Sequence, residues 1–505
     1  MTVTSFSPRT GRPAHHAPET TDTEVDAVMQ RAAGAAPLVA VSSPTERRRW
    51  LRAVADMLDA HAAELAELTD LETALGRPRI DGEIPRTADQ FRFYGDVAVE
   101  GSHVDLTIDE SDDPVGQLVR LNRPIGPVVV FGASNFPFVL GMLGHDTAAA
   151  IAAGCPVVAK AHSAHIGLSL RLEELMTTTL ADAGAPDGTF AMVVGRAAGV
   201  AAVAHPAAAA VAFTGSQSGG LALWRIANER DEVIPVYAEM GTVNPVVVTA
   251  AAAPDLASIA AGFVGSFTLG SGQYCTKPGL LFAPTGSRAA QHVADALTAA
   301  APTAVMLTEG IAASVVTGLA ELEAAGARTV VQVPAGEAAW AAPAAVLTAP
   351  IGTLTAGSRL LEECFGPVVL VCEYDDTDQL LDALRTLQGS LAASVFTAQE
   401  GPDPEAGRLV EIVSRQVGRV VVNGWSTGAA CSWGQHHGGP WPATSNPGTT
   451  SIGGRALSRF VRPVTFQSTR DEWLPAEARA DDPWHLPRRL NGVAQPAAPV
   501  GAPIA

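Results

Sequence analysis

Two kinds of hydrophobic spacing alternate along the chain, and their alternation predicts its architecture. Leu51, Val54, Leu58, Ala62, Leu65 and Leu68 recur every three or four residues, which lines one face of an amphipathic α-helix. Ser43-Pro44-Thr45-Glu46 precedes them and combines a capping box with proline at the first helical position, so the helix starts there. From Gly126 the pattern changes to short β-branched runs at Pro127–Phe131, Pro156–Ala159, Phe190–Val194, Ala210–Phe213 and Val233–Tyr237, separated by alanine-rich helical stretches. Strands that are apolar on both faces and alternate with helices predict a parallel sheet covered on both sides. A second series follows at Pro245–Val248, Gly279–Phe282, Val330–Val333, Pro367–Val371 and Arg419–Val422. The fold class is α/β, with two doubly wound lobes.

Alternation at Val104, Leu106 and Ile108, and again over Phe460–Phe466, predicts β-arms outside either lobe. The expected organisation is a flexible tail over 1–20 and a first lobe over 21–239, interrupted by an arm at about 104–123. A second lobe spans 240–444, a late segment with its arm 445–470, and an irregular tail rich in proline and alanine 471–505. A length of 505 residues exceeds what one core usually supports.

Composition narrows the function classes. Lys+Arg 33 against Asp+Glu 52 gives a net charge of -19, which argues against nucleic-acid partners. The five cysteines are scattered without CxxC spacing, so neither a disulfide framework nor a zinc site is indicated and a reducing cytoplasm fits. The N-terminus lacks the apolar core of a signal peptide, and no apolar run reaches membrane-spanning length. His15-His16 reads as part of the loose tail. His436-His437 has no carboxylate or cysteine at ligand spacing and reads as a pair of loop histidines, so no metal is expected.

Candidate chemistry centres on Ser266–Gly279, SFTLGSGQYCTKPG, where Cys275 lies among glycines and small polar residues. A thiol on such a turn suits covalent catalysis, because glycine lets the backbone approach a substrate closely. A buried inert cysteine fits the same stretch, and the two readings stay open on these residues alone. Four further signatures accompany it: Gly132-Ala-Ser-Asn135-Phe-Pro137, Phe213-Thr-Gly215-Ser216, Glu239-Met-Gly241 with Asn244-Pro245, and Glu363-Cys-Phe365-Gly366-Pro367. Together with Gly272-Gln-Tyr-Cys275-Thr276, in this order and spacing, they resemble the aldehyde dehydrogenase superfamily along nearly the whole chain.

The resemblance implies oxidation of a small-molecule aldehyde to its acid through a thiohemiacetal and a thioester on Cys275. Asn135 and the Cys275 backbone N–H are then the oxyanion donors, each typically worth about 10²–10³ in rate. Glu239 activates the hydrolytic water, for which a carboxylate with a raised pKa suits neutral pH. Taken alone, Asn135 equally suits a turn and Glu239 a cap.

Lys160, Ser163, Arg196, Gly215, Ser216, Glu363 and Phe365 are the implied cofactor residues. Relatives specific for NAD carry an acidic residue where this chain has Ser163. Without that carboxylate, and with Lys160 and Arg196 to attract a 2′-phosphate, NADP is expected, NAD remaining possible. Lys160-Ala-His-Ser163-Ala-His165, Ser266–Gly279 and the late stretch His437-Gly-Gly-Pro-Trp-Pro-Ala-Thr444 look most like the NADP-preferring branch, which contains α-ketoglutarate semialdehyde (2,5-dioxopentanoate) dehydrogenases and bacterial fatty aldehyde dehydrogenases. Arg92 with Arg86 are candidates for a substrate carboxylate, and Phe136 and Trp425 for an apolar tunnel. Ser445-Asn-Pro-Gly448 replaces an arginine-containing sequence usual in that branch, which counts against the dioxopentanoate assignment. The late β-arm is expected to complete a homodimer, alone or as a dimer of dimers. Medium- or long-chain aldehydes, transfer of the acyl group to CoA, and a catalytically retired binding fold are the alternatives.

Overall fold

The computed structural model describes residues 1–110 and 116–496. Positions 111–115 of the first expected arm and 497–505 of the expected tail lie outside the described residues. Two parallel-type sheets dominate. The first has the strand order Phe190–Val193, Val157–Lys160, Val128–Phe131, Ala210–Gly215, Val236–Met240, all parallel. The second runs Arg328–Val333, Ala344–Thr348, Val368–Tyr374, Leu280–Pro284, Pro245–Val248, Ser390–Phe396, Val417–Val422, with only the Arg328–Val333 edge antiparallel. Their central strands are buried on both faces, which is why they read as unbroken apolar runs, whereas the edge strands Arg328–Val333 and Val417–Val422 are largely half-buried. The helix beginning at Pro44 has the expected capping box, with Ser43 accepting from Glu46 N–H. It ends at Ala60, and a new helix, Ala62–Thr73, restarts beyond the non-helical His61. The break redirects the second helix so that Leu65 and Ala66 are buried.

A third sheet gathers segments remote in sequence. Val461–Gln467 pairs antiparallel with Leu118–Pro124 from Val461↔Pro124 to Gln467↔Leu118, and Leu106–Asp109 joins the other side. The C-terminal region, expected to be irregular, adds the strands Arg488–Leu490 and Val493–Gln495. Three-residue strands carry too little alternation to be seen in sequence; here Leu106–Ile108 supplies the ladder. A small core of Leu106, Val119, Leu121, Leu474 and Leu486 holds the layer together. Among the described residues no helix is long and apolar enough to cross a membrane.

The N-terminus also departs from expectation, since residues of the supposed flexible tail form a hairpin, Thr2–Phe6 with Pro13–Pro18. Its anchor is Glu72, which is fully buried. That carboxylate accepts the N–H groups of Gly167 and Leu168, both at 2.9 Å. It also accepts the Ser5 hydroxyl and meets His15 Nδ1 at 3.2 Å. A negative charge at the start of the helix Ile166–Asp182 satisfies amides that have no intrahelical partner. Glu72→Ala leaves them buried and unpaired, an expected loss of about 2–4 kcal/mol. A lowered thermal midpoint together with faster proteolysis inside residues 7–12 checks this; unchanged protease resistance would show that the hairpin does not depend on Glu72.

Candidate active site

Cys275 is delivered to the junction of the two large sheets by an unusual turn. After the helix Leu256–Thr268 the chain takes three successive left-handed residues, Gly270 (φ 55), Ser271 (φ 61) and Gly272 (φ 72). At Gly272 even a methyl group is excluded, since a Cβ would lie 2.3 Å from the Gly366 carbonyl carbon. Gln273 pins the end of the turn: it is fully buried, its Oε1 accepts Leu307 N–H at 3.0 Å, and its Nε2 donates to Val305 O at 3.2 Å. Asn244 Nδ2 donates to the carbonyls of Cys275 (2.8 Å) and Lys277 (3.1 Å). Lys277, also buried, donates from Nζ to Cys364 O at 3.0 Å and Val368 O at 2.9 Å, tying the Cys275 loop to the segment bearing Glu363.

Three groups meet at the thiol. His437 Nε2 stands 3.7 Å from Cys275 Sγ and 3.5 Å from Glu239 Oε1. Their ligating atoms all lie within 4.8 Å of one another. Glu239, on the strand Val236–Met240, has both carboxylate oxygens buried without a hydrogen-bond partner. His437, read from sequence as an ordinary loop residue, is buried and held by Thr450 Oγ1, which accepts its backbone N–H at 2.8 Å. No spacing signal could have found it, because its partners are 162 and 198 positions away in the chain. Burial, then the nearby charges of Glu239 and Glu363, hold the Cys275 thiol well above its ordinary range.

Asn135 Nδ2 donates to Gln273 O at 2.8 Å, so its amide is fixed beside the nucleophile loop with one of its two N–H donors used. Its own loop is braced by Glu83, which accepts from Phe138 N–H and Val139 N–H at 3.0 and 3.1 Å. A narrow cleft of about 30 Å³ reaches Cys275 and is lined by Arg86, Phe136, Leu140, Tyr274, His437 and Ile452 among others. Phe136 is thus where a substrate residue was expected. Arg92 is not: it lies on an outer face, engaged by Asp56, Asp59 and Asp89 at 2.9, 2.6 and 3.2 Å. Trp425 is likewise absent from the cleft and packs against Phe263 and Phe396, filling the space above Gly262. Its size suits a core as well as a tunnel, which residue type alone does not distinguish.

A larger groove of about 380 Å³ runs beside the site, lined by Ser216, Gln217, Gly241, Glu363 and Phe365. Ser216 caps the helix Gln217–Asn228 by accepting Gly219 N–H at 3.2 Å, and the start of that helix faces the groove. Glu363 Oε1 is buried and unpartnered, and Gly241 makes room for it, since a Cβ there would lie 2.3 Å from Glu363 Oε2. A helix N-terminus beside an unpaired carboxyl acceptor fits the phosphates and ribose hydroxyls of a dinucleotide. Gly215 closes the preceding strand, its carbonyl accepting Gly241 N–H at 3.2 Å. Lys160 and Arg196 lie close together at the ends of neighbouring elements, apart from this groove. Ser163 lines a separate cavity.

The negative surroundings of Cys275 give a test. Its alkylation by iodoacetamide is expected to climb with pH without levelling below pH 9. Glu239→Gln removes the largest neighbouring charge and lowers the thiol pKa, so alkylation at pH 8 speeds up by about tenfold for a pKa one pH unit lower. Slower alkylation in that variant would show that Glu239 promotes the thiolate in the free enzyme.

Comparison with known proteins shows the family. The profile of the Aldehyde dehydrogenase family matches residues 1–441. Alpha-ketoglutaric semialdehyde dehydrogenase 2 of Azospirillum brasilense is 42% identical, over 89% of this chain and 87% of the relative. Alpha-ketoglutaric semialdehyde dehydrogenase of Acinetobacter baylyi is 36% identical, over 93% and 91%. The crystal structure of an NAD-dependent aldehyde dehydrogenase from Sinorhizobium meliloti superposes with a TM-score of 0.79 at 25% identity, covering 93% of this chain and 91% of that one. On these matches the chain belongs to the aldehyde dehydrogenase family and is an NAD(P)-dependent aldehyde oxidoreductase.

Proposed function

We propose that the protein oxidises α-ketoglutarate semialdehyde (2,5-dioxopentanoate) to α-ketoglutarate with NADP, acting through Cys275, Glu239 and Asn135. The observation that carries the mechanism is the meeting of Cys275, His437 and Glu239 within 4.8 Å, the first two lining the cleft. The substrate rests on the two semialdehyde dehydrogenases named above and on Arg86, whose side chain lines the cleft and has only a 3.3 Å bond to Ala429 O. A carboxylate at the far end of a short aldehyde is a better acceptor for that guanidinium.

Cys275 Sγ adds to the aldehyde carbon as His437 Nε2, at 3.7 Å, takes the thiol proton. The remaining N–H of Asn135 and the backbone N–H of Cys275 donate to the carbonyl oxygen as it gains negative charge. A nicotinamide cofactor in the adjoining groove supplies the hydride acceptor. Glu239 then takes a proton from water attacking the thioester, and the acid departs with the thiol restored. The altered loop is no obstacle to this substrate, since none of Ser445–Gly448 lines the cleft. Its Ser445 Oγ instead accepts Ala238 N–H at 2.8 Å, aligning the strand that carries Glu239. NADP is supported by the absence of a carboxylate at Ser163, with Lys160 and Arg196 nearby to meet a 2′-phosphate. Homodimers, alone or paired, are proposed through the sheet that contains Val461–Gln467.

The apolar lining of Phe136, Val139, Leu140 and Ile452 also suits an aliphatic aldehyde. A panel of carboxylate-bearing semialdehydes and straight-chain alkanals separates the two readings. The expected result is a preference for the semialdehydes that falls about 10–100-fold in Arg86→Ala through KM, matching the loss of a charge-assisted bond. Cys275→Ala lowers turnover by on the order of 10⁴-fold or more; near-normal turnover would overturn the mechanism, and a preference for alkanals the substrate.

Cofactor affinity carries its own pH signature. Burial, then the charge of Arg196, push Lys160 down to about 8. Its positive charge is present below that pH and is lost above it, so KM for NADP rises by up to about tenfold per pH unit beyond about 8. Lys160→Met should abolish the rise; a wild-type KM that stays flat to about pH 9.5 would remove Lys160 from the cofactor site.

A further inference from the structure

We propose that Cys275, His437 and Glu239 form an inhibitory site for a thiophilic divalent cation, Zn²⁺ above all, that closes the nucleophile to aldehyde. These are three of the protein donors that zinc takes, a thiolate, an imidazole nitrogen and a carboxylate oxygen. Standard bond lengths in a tetrahedral shell place sulfur and nitrogen about 3.5 Å apart and nitrogen and oxygen about 3.4 Å apart. The observed separations are 3.7 Å from Cys275 Sγ to His437 Nε2 and 3.5 Å from that nitrogen to Glu239 Oε1. Two sides of the ligand triangle therefore lie within a few tenths of an ångström of that geometry before any metal enters, and the third, from Cys275 Sγ to the Glu239 carboxylate, lies within 4.8 Å and closes by a side-chain adjustment.

Two independent features point to a ligand there. Glu239 is only 3% exposed, yet neither of its oxygens makes a hydrogen bond among the described residues, His437 Nε2 standing 3.5 Å from Oε1. A buried carboxylate without hydrogen bonds is costly, and a cation satisfies it directly. The cleft of about 30 Å³ in front of Cys275 and His437 holds roughly two waters. It supplies both an entry path and the fourth ligand that three protein donors leave open. The charges also balance, since a thiolate and a carboxylate carry two negative charges against the dication. Binding expels the thiol proton to solvent, forms the metal–sulfur bond and leaves no oxidation state changed.

Sequence spacing excluded this site, because His437 has neither cysteine nor carboxylate near it in the chain. The site belongs to the resting enzyme, whichever aldehyde is the substrate. A cation on Sγ removes the nucleophile and occupies the space of the incoming carbonyl, so inhibition should compete with aldehyde and leave cofactor binding intact.

The test uses the full-length enzyme in a reductant that does not bind zinc. Turnover is measured against buffered free Zn²⁺, with chelator added afterwards. Reversible inhibition that competes with aldehyde and protects Cys275 from iodoacetamide is expected. Co²⁺ serves as the spectroscopic probe: a thiolate-to-cobalt charge-transfer band should appear, vanish in Cys275→Ala and weaken at least about tenfold in apparent affinity in His437→Gln. Circular dichroism and cofactor binding verify that each variant is folded, and the cobalt titration is readable even where His437→Gln is catalytically slow. No inhibition up to about 1 mM Zn²⁺, or a cobalt affinity in folded His437→Gln equal to wild type, would overturn the proposal. Inhibition without a charge-transfer band would place the metal elsewhere and overturn it equally.

Discussion

The site hangs on one buried amide. Asn244, fully enclosed and in a left-handed conformation (φ 51), donates to the carbonyls of Thr242, Cys275 and Lys277 at 3.0, 2.8 and 3.1 Å. Its oxygen accepts Ala392 N–H at 3.1 Å from the strand Ser390–Phe396. A single side chain thus links the segment leaving Glu239, the Cys275 turn and the second large sheet. An amide is suited to this because it both donates and accepts, and asparagine is among the few residues that tolerate the left-handed region. The position of Cys275 relative to Glu239 follows from that linkage, and through Lys277 so does the position of the Glu363 segment.

Around this anchor the protein tolerates costly electrostatics. Glu239 is buried and Glu363 half-buried with its Oε1 enclosed, and Glu363 is pushed up to about 8, chiefly by loss of hydration and further by Glu239, with Lys277 acting in the opposite direction. Unsatisfied oxygens on both carboxyls represent free energy the fold does not recover internally. Such groups belong where substrate, water or cofactor completes their hydrogen bonds. The scaffold around them is correspondingly rigid: Gly272 and Gly241 have no room for a side chain, one against backbone and the other against Glu363.

Segments distant from the chemistry do positioning of the same kind. Ser445 and Thr444 run beside the strand of Glu239, where Ala443 O accepts Met240 N–H at 2.9 Å. Arg79 lies over the rings of Phe136 and Tyr274, at 4.6 and 4.7 Å, and donates to Asn135 O, so one cation steadies both the cleft wall and the Asn135 loop.

Most of the two sheets could be read from sequence, because a strand buried on both faces must be apolar throughout, as Val128–Phe131 and Pro245–Val248 are. The strands Ala344–Thr348 and Ser390–Phe396 escaped notice, since alanine and serine favour no strand and only their neighbours in the sheet make them extended. The same boundary divides the site. Cys275, Glu239, Asn135 and Glu363 announced themselves through short motifs whose glycines and prolines encode local backbone shape. His437, Lys277 and Glu72 carry no local signature, and Arg92 and Trp425 had residue types suited to a substrate pocket but outward or core positions. Local chain geometry is written in neighbouring residues, so sequence determined the folds of the turns and singled out Cys275. Which charged or aromatic side chain reaches that thiol depends on how sheets and loops far apart in the chain pack together, and only the tertiary structure decided it.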